Sequence, residues 1–99
     1  MQVEDKSKLK PGDVIWFYNY GIGGFLFGIV IEDEDKGLTV WRPKCKYSID
    51  SIHAVELIES IDDVENYALY YFQEIMEEAR KKEISFNNLP DDVLSLEME

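Results

Sequence analysis

The chain of 99 residues is too short to fill two separate hydrophobic cores, so we predict a single domain over residues 1–99. Its hydrophobic content of 45% argues against disorder, and no apolar run approaches the roughly 20 residues that cross a bilayer. The charged opening "MQVEDKSKLK" lacks the apolar centre of a secretion signal, and the single cysteine allows no internal disulfide, so we expect a cytoplasmic protein.

The charge is unevenly distributed along the chain. The total is −11: residues 1–60 contain ten acids and seven bases (−3), and residues 61–99 contain eleven acids and three bases (−8). Such a field repels a phosphate backbone, so direct nucleic-acid binding is disfavoured, and it attracts basic protein surfaces. Acidity that serves solubility alone is the simpler alternative.

The first part of the chain has the alternation of short antiparallel strands. The predicted strands are 13–19, 25–33, 38–41, 44–49 and 53–59. Gly37 is expected to adopt a positive φ after the second strand, and alternation in the fourth strand places Cys45 inward. A 3₁₀ turn in "DSI" precedes the last strand, which is expected to bury Val55 and Leu57. Five short strands of this kind predict a small barrel.

The glycine-rich stretch "YNYGIGGFLFG", residues 18–28, joins the first two strands. Gly21 and Gly23 match the start of a dinucleotide-binding fingerprint, but Leu26 replaces the third glycine and a strand follows, so no phosphate site is predicted. We expect the loop glycines to permit a sharp turn, and Gly28 to permit a bend or the close approach of another backbone.

The second half changes to a helical period over residues 60–83. Apolar side chains recur there at Val64, Ala68, Tyr71, Phe72, Ile75 and Ala79. Ser60 or Asp62 is expected to begin the helix as the N-cap of a capping box. Residues 88–97 are predicted as a short tail helix or an extended tail. The predicted fold class is therefore α+β: a five-stranded antiparallel barrel, one long amphipathic C-terminal helix and a short tail helix.

The segments "LKPGDVIWFYNY", "FGIVIEDEDKGLTVW" and "YSIDSIHAVELI" together resemble an SH3-like (Src-homology-3-like) small barrel of the bacterial type. In that type a "PGD" turn starts the first strand, and a short turn such as "IDSI" precedes the last. The resemblance covers residues 9–58. It implies a fold that serves in translation factors, chromatin readers, toxins and peptide-binding modules, so it implies no particular activity.

The same opening is also similar to that of the NlpC/P60 and lecithin-retinol-acyltransferase hydrolases. That resemblance implies a catalytic cysteine in contact with a histidine, and the available pair is Cys45 and His53. No histidine stands at the head of the second strand, where the acyltransferase type has one, and an inward Cys45 is expected to be inert. A cysteine hydrolase is therefore the remotest alternative, and no metal site or cofactor is predicted.

The leading functional hypothesis is a small acidic, non-enzymatic protein that binds a protein partner. We expect its acidic helix to face the basic nucleic-acid-binding surface of that partner, as in an inhibitor of the immunity or phage anti-defence type. The predicted partner-binding residues are Asp62, Asp63, Glu65, Glu74, Glu77, Glu78, Asp91 and Asp92. The sequence leaves monomer and dimer open.

The second hypothesis is an SH3-like module that binds a ribosome, RNA or a peptide through aromatic side chains. The predicted groove residues are Trp16, Tyr18, Tyr20, Phe25 and Trp41, with the lysines Lys44 and Lys46 nearby. Exposed rings beside a glycine loop are typical of a recognition surface. The alternative is that these rings pack beneath the helix. Three helical tyrosines are likewise expected in the core or at its rim: Tyr67, Tyr70 and Tyr71.

Overall fold

The computed structural model describes residues 2–86, which contain one sheet and one helix. The strands are β1 (Val14–Asn19), β2 (Gly24–Asp33), β3 (Gly37–Arg42), β4 (Cys45–Ser48) and β5 (His53–Leu57), and the helix is α1 (Leu69–Lys81). Short 3₁₀ turns lie at Lys6–Lys8, Ile49–Ser51, Ile61–Asp63 and Asn66–Ala68. The α+β class is confirmed, because each predicted strand is present with its ends shifted by two residues at most.

The five strands form one antiparallel sheet in the order β4-β3-β2-β1-β5. In the described part of the chain the edge strands β4 and β5 do not pair with each other, so the sheet is open and the predicted barrel closure is not observed. The N-terminal segment covers the outer edge of β5, where the Val3 amide donates to the Val55 carbonyl at 2.8 Å. This contact leaves fewer unpaired backbone groups on an edge strand.

Both faces of the sheet pack against buried side chains. The cluster on the helix face includes Val14, Phe27, Ile29, Trp41, Phe72 and Met76. The cluster on the opposite face comprises Leu9, Ile15, Phe17, Val30, Val40, Ile52 and Val55. The runs "VIWFY" and "FLFGIVI" are apolar at nearly every position because successive residues alternate between two cores rather than between core and water.

Gly28 lies in β2 and contacts side chains of the cluster on the sheet face opposite the helix. A Cβ atom at this position would collide with the Val40 side chain and would lie 3.1 Å from the Phe17 ring. The expected close approach at Gly28 is thus present, although a side chain rather than a backbone makes the nearest contact. Gly37 has a φ of 73°, as predicted for the turn between β2 and β3.

The helix is shorter than predicted, because it begins at Leu69 rather than near residue 60. Glu65 has an extended backbone (φ −63°, ψ 142°), which interrupts the helical pattern between two 3₁₀ turns. Within this segment the Asp63 carboxylate accepts from the amides of Glu59 at 2.8 Å and Ser60 at 3.1 Å. The bond from the Ser60 amide to Asp63 is one of the two hydrogen bonds of a capping box. Here it stabilises a turn and not the start of a longer helix.

The end of α1 is a Schellman turn. The Glu83 amide donates to the Arg80 carbonyl at 3.1 Å, and the Ile84 amide donates to the Ala79 carbonyl at 2.9 Å. Glu83 itself has a φ of 58°, a backbone conformation that favours glycine.

The predicted burial of Cys45 is not observed, and the predicted tail helix cannot be compared with the structure. Cys45 is exposed rather than inward, because it begins β4 directly after the hairpin turn and pairs with Arg42 at the open end of the ladder. The predicted tail helix at 88–97, with Asp91 and Asp92, lies outside the described residues. Within residues 2–86, no helix is long and apolar enough to span a membrane.

Candidate protein-interaction surface

A row of aromatic rings runs along β1 and β2 on the helix face of the sheet. Trp16 and Tyr18 are two residues apart on β1 and therefore share a face, and they pair with Phe27 and Phe25 of β2. The ring centroids lie 4.2 Å apart for Trp16 and Phe27 and 5.2 Å apart for Tyr18 and Phe25. Cross-strand aromatic pairs of this kind stabilise the sheet whether or not the helix covers them.

Exposure increases along the row because the helix covers only part of it. With 13 residues α1 is about 20 Å long, whereas the ten residues of β2 extend about 33 Å. Phe72 of the helix packs on Phe27, with ring centroids 5.2 Å apart, and Phe27 is 3% exposed. Farther along the row, Phe25 is 46% exposed and Tyr20 is 72% exposed.

A bulge in β5 adds the histidine to the exposed end of this row. The register between β1 and β5 shifts between Trp16 and Tyr18, and Ala54 of β5 has a φ of 49°. The shift places His53 opposite Tyr18, and the His53 ring lies 4.7 Å from the Tyr20 ring.

A cavity lies between the aromatic row and residues 67–75, which include the start of the helix. We call this cavity the aromatic cleft. Its volume is about 370 Å³, and its lining includes Trp16, Phe25, Phe27, Tyr67 and Tyr71 together with Arg42 and Glu74. Tyr67 is 75% exposed and Tyr71 is 63% exposed, so both rings stand at the rim with most of their surface in water. The expectation that Tyr71 helps to form the apolar face of the helix is therefore wrong; Phe72 and Ile75 fill that face.

An acidic pocket adjoins the aromatic cleft. It has a volume of about 160 Å³ and is lined by Glu56, Asp63 and Glu65 together with Trp16, Phe27, Tyr67 and Ala68. Glu56 lies beside Trp16 because the two residues pair across β5 and β1. Three carboxylates and no lysine or arginine line this pocket in the described chain.

The glutamates of α1 border a third depression, which we call the glutamate depression. It is lined by Glu74, Glu77 and Glu78 together with Lys44 and Lys82, Pro43 and Ile75. The Lys81 ammonium lies 3.5 Å from Glu78, so the helical acids have cations close by. Glu74 also raises the pKa of Tyr70, through a hydrogen bond and through its negative charge.

The lysines expected beside the aromatic groove lie elsewhere. Lys44 lines the glutamate depression, and the Lys46 ammonium lies 3.2 Å from the Asp33 carboxylate. The pKa of Asp33 is lowered by hydrogen bonds from the Asp35 amide and from Lys46. Lys46 is therefore paired with an acid, Lys44 lies among the glutamates of α1, and neither lysine lines the aromatic cleft.

Cys45 and His53 lie on the two different edge strands of the sheet. Cys45 hydrogen-bonds with Tyr47, which raises the pKa of that phenol, whereas His53 packs on Tyr20. A thiol and an imidazole that serve one reaction must lie within hydrogen-bonding reach of each other, and the contacts of these two residues are with other side chains. Among residues 2–86, no group of three or more metal-ligating side chains is close enough to hold an ion.

Within the described residues the predicted site residues lie in four places, one of which is the glutamate depression with Glu74, Glu77 and Glu78. Trp16, Tyr18, Tyr20 and Phe25 lie on the partly exposed row, whereas Trp41 is 7% exposed and belongs to the core beneath the helix. Asp62, Asp63 and Glu65 are exposed but lie before the helix rather than along it. Residue-by-residue reasoning missed Glu56 and Tyr67, because they join the site through a cross-strand pair and a 3₁₀ turn.

Comparisons of this chain with protein-family models, curated proteins and solved structures found no match. The resemblances inferred from the sequence therefore remain predictions.

Proposed function

We propose that this chain is a small acidic, non-enzymatic binding protein that recognises a basic surface on a protein partner. The observation that supports this most is the continuity of three surface features. Trp16 and Tyr67 line both the acidic pocket and the aromatic cleft, and Glu74 lines both the aromatic cleft and the glutamate depression. Exposed rings bordered by carboxylates offer apolar contact area together with the charge that attracts a basic interface.

The distribution of charge favours one end of this surface over the other. Glu56 and Glu65 are exposed, and the acidic pocket that they line contains no cation among the described residues. The glutamate depression, in contrast, contains Lys44 and Lys82. A basic partner is therefore attracted most strongly to the acidic pocket, and an inhibitor of a nucleic-acid-binding protein would place this end of the surface in the partner's basic cleft.

We also infer that the sheet is an open form of the SH3-like small barrel that the sequence resembles. Three features support this: the strand order places β5 beside β1, a 3₁₀ turn at Ile49–Ser51 directly precedes β5, and the sheet face opposite the helix has a core of its own. This architecture supplies a scaffold and does not by itself imply a partner.

A peptide-binding module is the second candidate, favoured by the exposed end of the aromatic row. Tyr18, Tyr20 and Phe25 extend away from the acidic pocket, and rings of this kind can hold an extended or proline-rich peptide. A ribosome or RNA ligand is not favoured, because Lys46 pairs with Asp33 and Lys44 lies among the glutamates of α1, so neither adds positive charge beside the rings.

The test is a selection of random 12-residue displayed peptides against the immobilised full chain. The matched control is the variant Glu56→Gln/Glu65→Gln, which keeps the shape of the acidic pocket and removes two exposed charges. We expect lysine- and arginine-rich peptides to be selected on the wild type, to bind the control more weakly, and to lose affinity as salt shortens the screening length from roughly 10 Å at 0.1 M to roughly 3 Å at 1 M.

The other outcomes of this selection are informative. Selection of proline-rich peptides that bind equally well at both salt concentrations would establish the second candidate in place of the first. If neither class is enriched, or if basic peptides bind the control variant as tightly as the wild type, the acidic surface is not a binding surface and the proposal fails.

A further inference from the structure

We propose that the aromatic cleft is an arginine-binding subsite, which holds the guanidinium of a basic segment of the partner. This inference rests on the proposed function, because it assumes that a basic polypeptide approaches the acidic surface. Beyond the proposed function, it specifies that an arginine side chain is recognised and that the aromatic cleft holds it.

The shape of the cleft suits one long side chain. A volume of about 370 Å³ is at the small end of ligand cavities, and it accommodates a side chain rather than a folded element. Phe25, Tyr67 and Tyr71 leave 46%, 75% and 63% of their surface exposed, so their rings are accessible from solvent. Trp16 is partly buried at the back of the cleft and stacks on Phe25, with ring centroids 5.4 Å apart and planes 14° apart.

The charges around the cleft favour a cation. Four carboxylates line the cleft and the acidic pocket together, one of them Glu74 in the cleft, against the single guanidinium of Arg42. The segment therefore meets three net negative charges.

Arginine fits this combination better than the other side chains. Its guanidinium is planar, stacks on aromatic faces and is more weakly hydrated than an ammonium group, and it can donate to a carboxylate while it is stacked. Lysine is attracted by the same charges but lacks the planar face. An apolar side chain would pack against the rings but leave the carboxylates without a positively charged partner.

The test uses nuclear magnetic resonance titration of the full chain with three peptides of one design. Each has two lysines and a glycine on both sides of a central residue, which is arginine, lysine or citrulline. We expect the arginine peptide to bind about threefold more tightly than the lysine peptide and about tenfold more tightly than the citrulline peptide. The shifts should include the indole N–H of Trp16.

The variant Tyr67→Ala/Tyr71→Ala should abolish the preference for arginine while the salt-dependent binding of all three peptides persists. Tyr70→Ala is the matched control, because Tyr70 is an exposed tyrosine of α1 next to Tyr71 and does not line the cleft. Since all three rings are largely exposed, we expect these variants to fold as the wild type does.

The remaining outcomes separate this inference from the function on which it rests. If the three peptides bind equally and Glu56→Gln/Glu65→Gln weakens all of them, the charge-based function stands and the arginine subsite is refuted. If the arginine preference survives in the double tyrosine variant, the cleft is not where arginine binds. If no peptide binds at low salt, both proposals fail.

Discussion

Gly28→Ala should destabilise the protein, although alanine is the better residue for most strand positions. The added Cβ would collide with the Val40 side chain and crowd the Phe17 ring, and both of these residues are fully buried. Overpacking of this kind costs about 1–3 kcal/mol, and the smaller backbone entropy of the unfolded chain offsets about 0.5–1 kcal/mol. Because the collision with Val40 places the cost in the upper part of its range, we expect a net loss of about 1–2 kcal/mol, which lowers the midpoint of thermal unfolding by roughly 5–15 °C.

A double-mutant cycle tests the reason for this loss. Val40→Ala alone should cost about 2 kcal/mol, because it removes two buried methyl groups and leaves a cavity. In the double variant Gly28→Ala/Val40→Ala the new methyl group occupies that space, so the combined loss should fall short of the sum by about 1 kcal/mol or more. Urea unfolding followed by circular dichroism measures each value, provided that the slopes agree. Strictly additive losses would refute the contact between these two positions.

Three further predictions concern single groups. Glu83→Gly should raise the free energy of unfolding by about 0.5–1 kcal/mol because Glu83 has a φ of 58°, whereas Glu83→Ala should not; equal thermal shifts for the two would contradict this. The Asp35 amide lowers the pKa of Asp33 below its ordinary value of 3.8, so Asp33 stabilises the fold above that pH, and this stabilisation disappears as the pH falls through the lowered pKa. Asp33→Asn should therefore be less stable than the wild type at pH 7 in thermal unfolding, with a gap that closes in acid; a constant gap would count against it. Glu74→Gln should lower the pKa of Tyr70 toward its ordinary range in a ring-carbon resonance titration, and an unchanged pKa would show that the two groups do not interact.

The sheet was predictable because its signals are local. Alternation in "KCKYS" and the apolar runs of β1 and β2 indicate strands, and this signal does not depend on which strands become neighbours. Gly37 indicates a turn that requires a positive φ. The start of the helix was not predictable in the same way. Residues 60–68 have helix-compatible spacing, but the carboxylate of Asp63 binds the amides of Glu59 and Ser60, and Glu65 is extended. Competing bonds between side chain and backbone are invisible in a periodic pattern.

The candidate surface shows the same division between local and long-range information. The sequence identified the aromatic residues of β1 and β2 as either a groove or a core, and it left that choice open. The structure places Trp41 in the core and leaves Phe25 46% exposed, although both are aromatic strand residues. It also brings Glu56 to the acidic pocket and Tyr67 to both the acidic pocket and the aromatic cleft, although the sequence analysis assigned neither residue to a binding site.

The amino-acid sequence by itself determined the strand segments, the presence of one amphipathic helix, and the excess of negative charge in the second half, because these depend on period, turn residues and composition. The tertiary structure decided which rings are exposed and which acids lack a nearby cation. The physical reason is that both properties depend on where a helix of 13 residues crosses a longer sheet, and that crossing is set by packing between residues far apart in the chain.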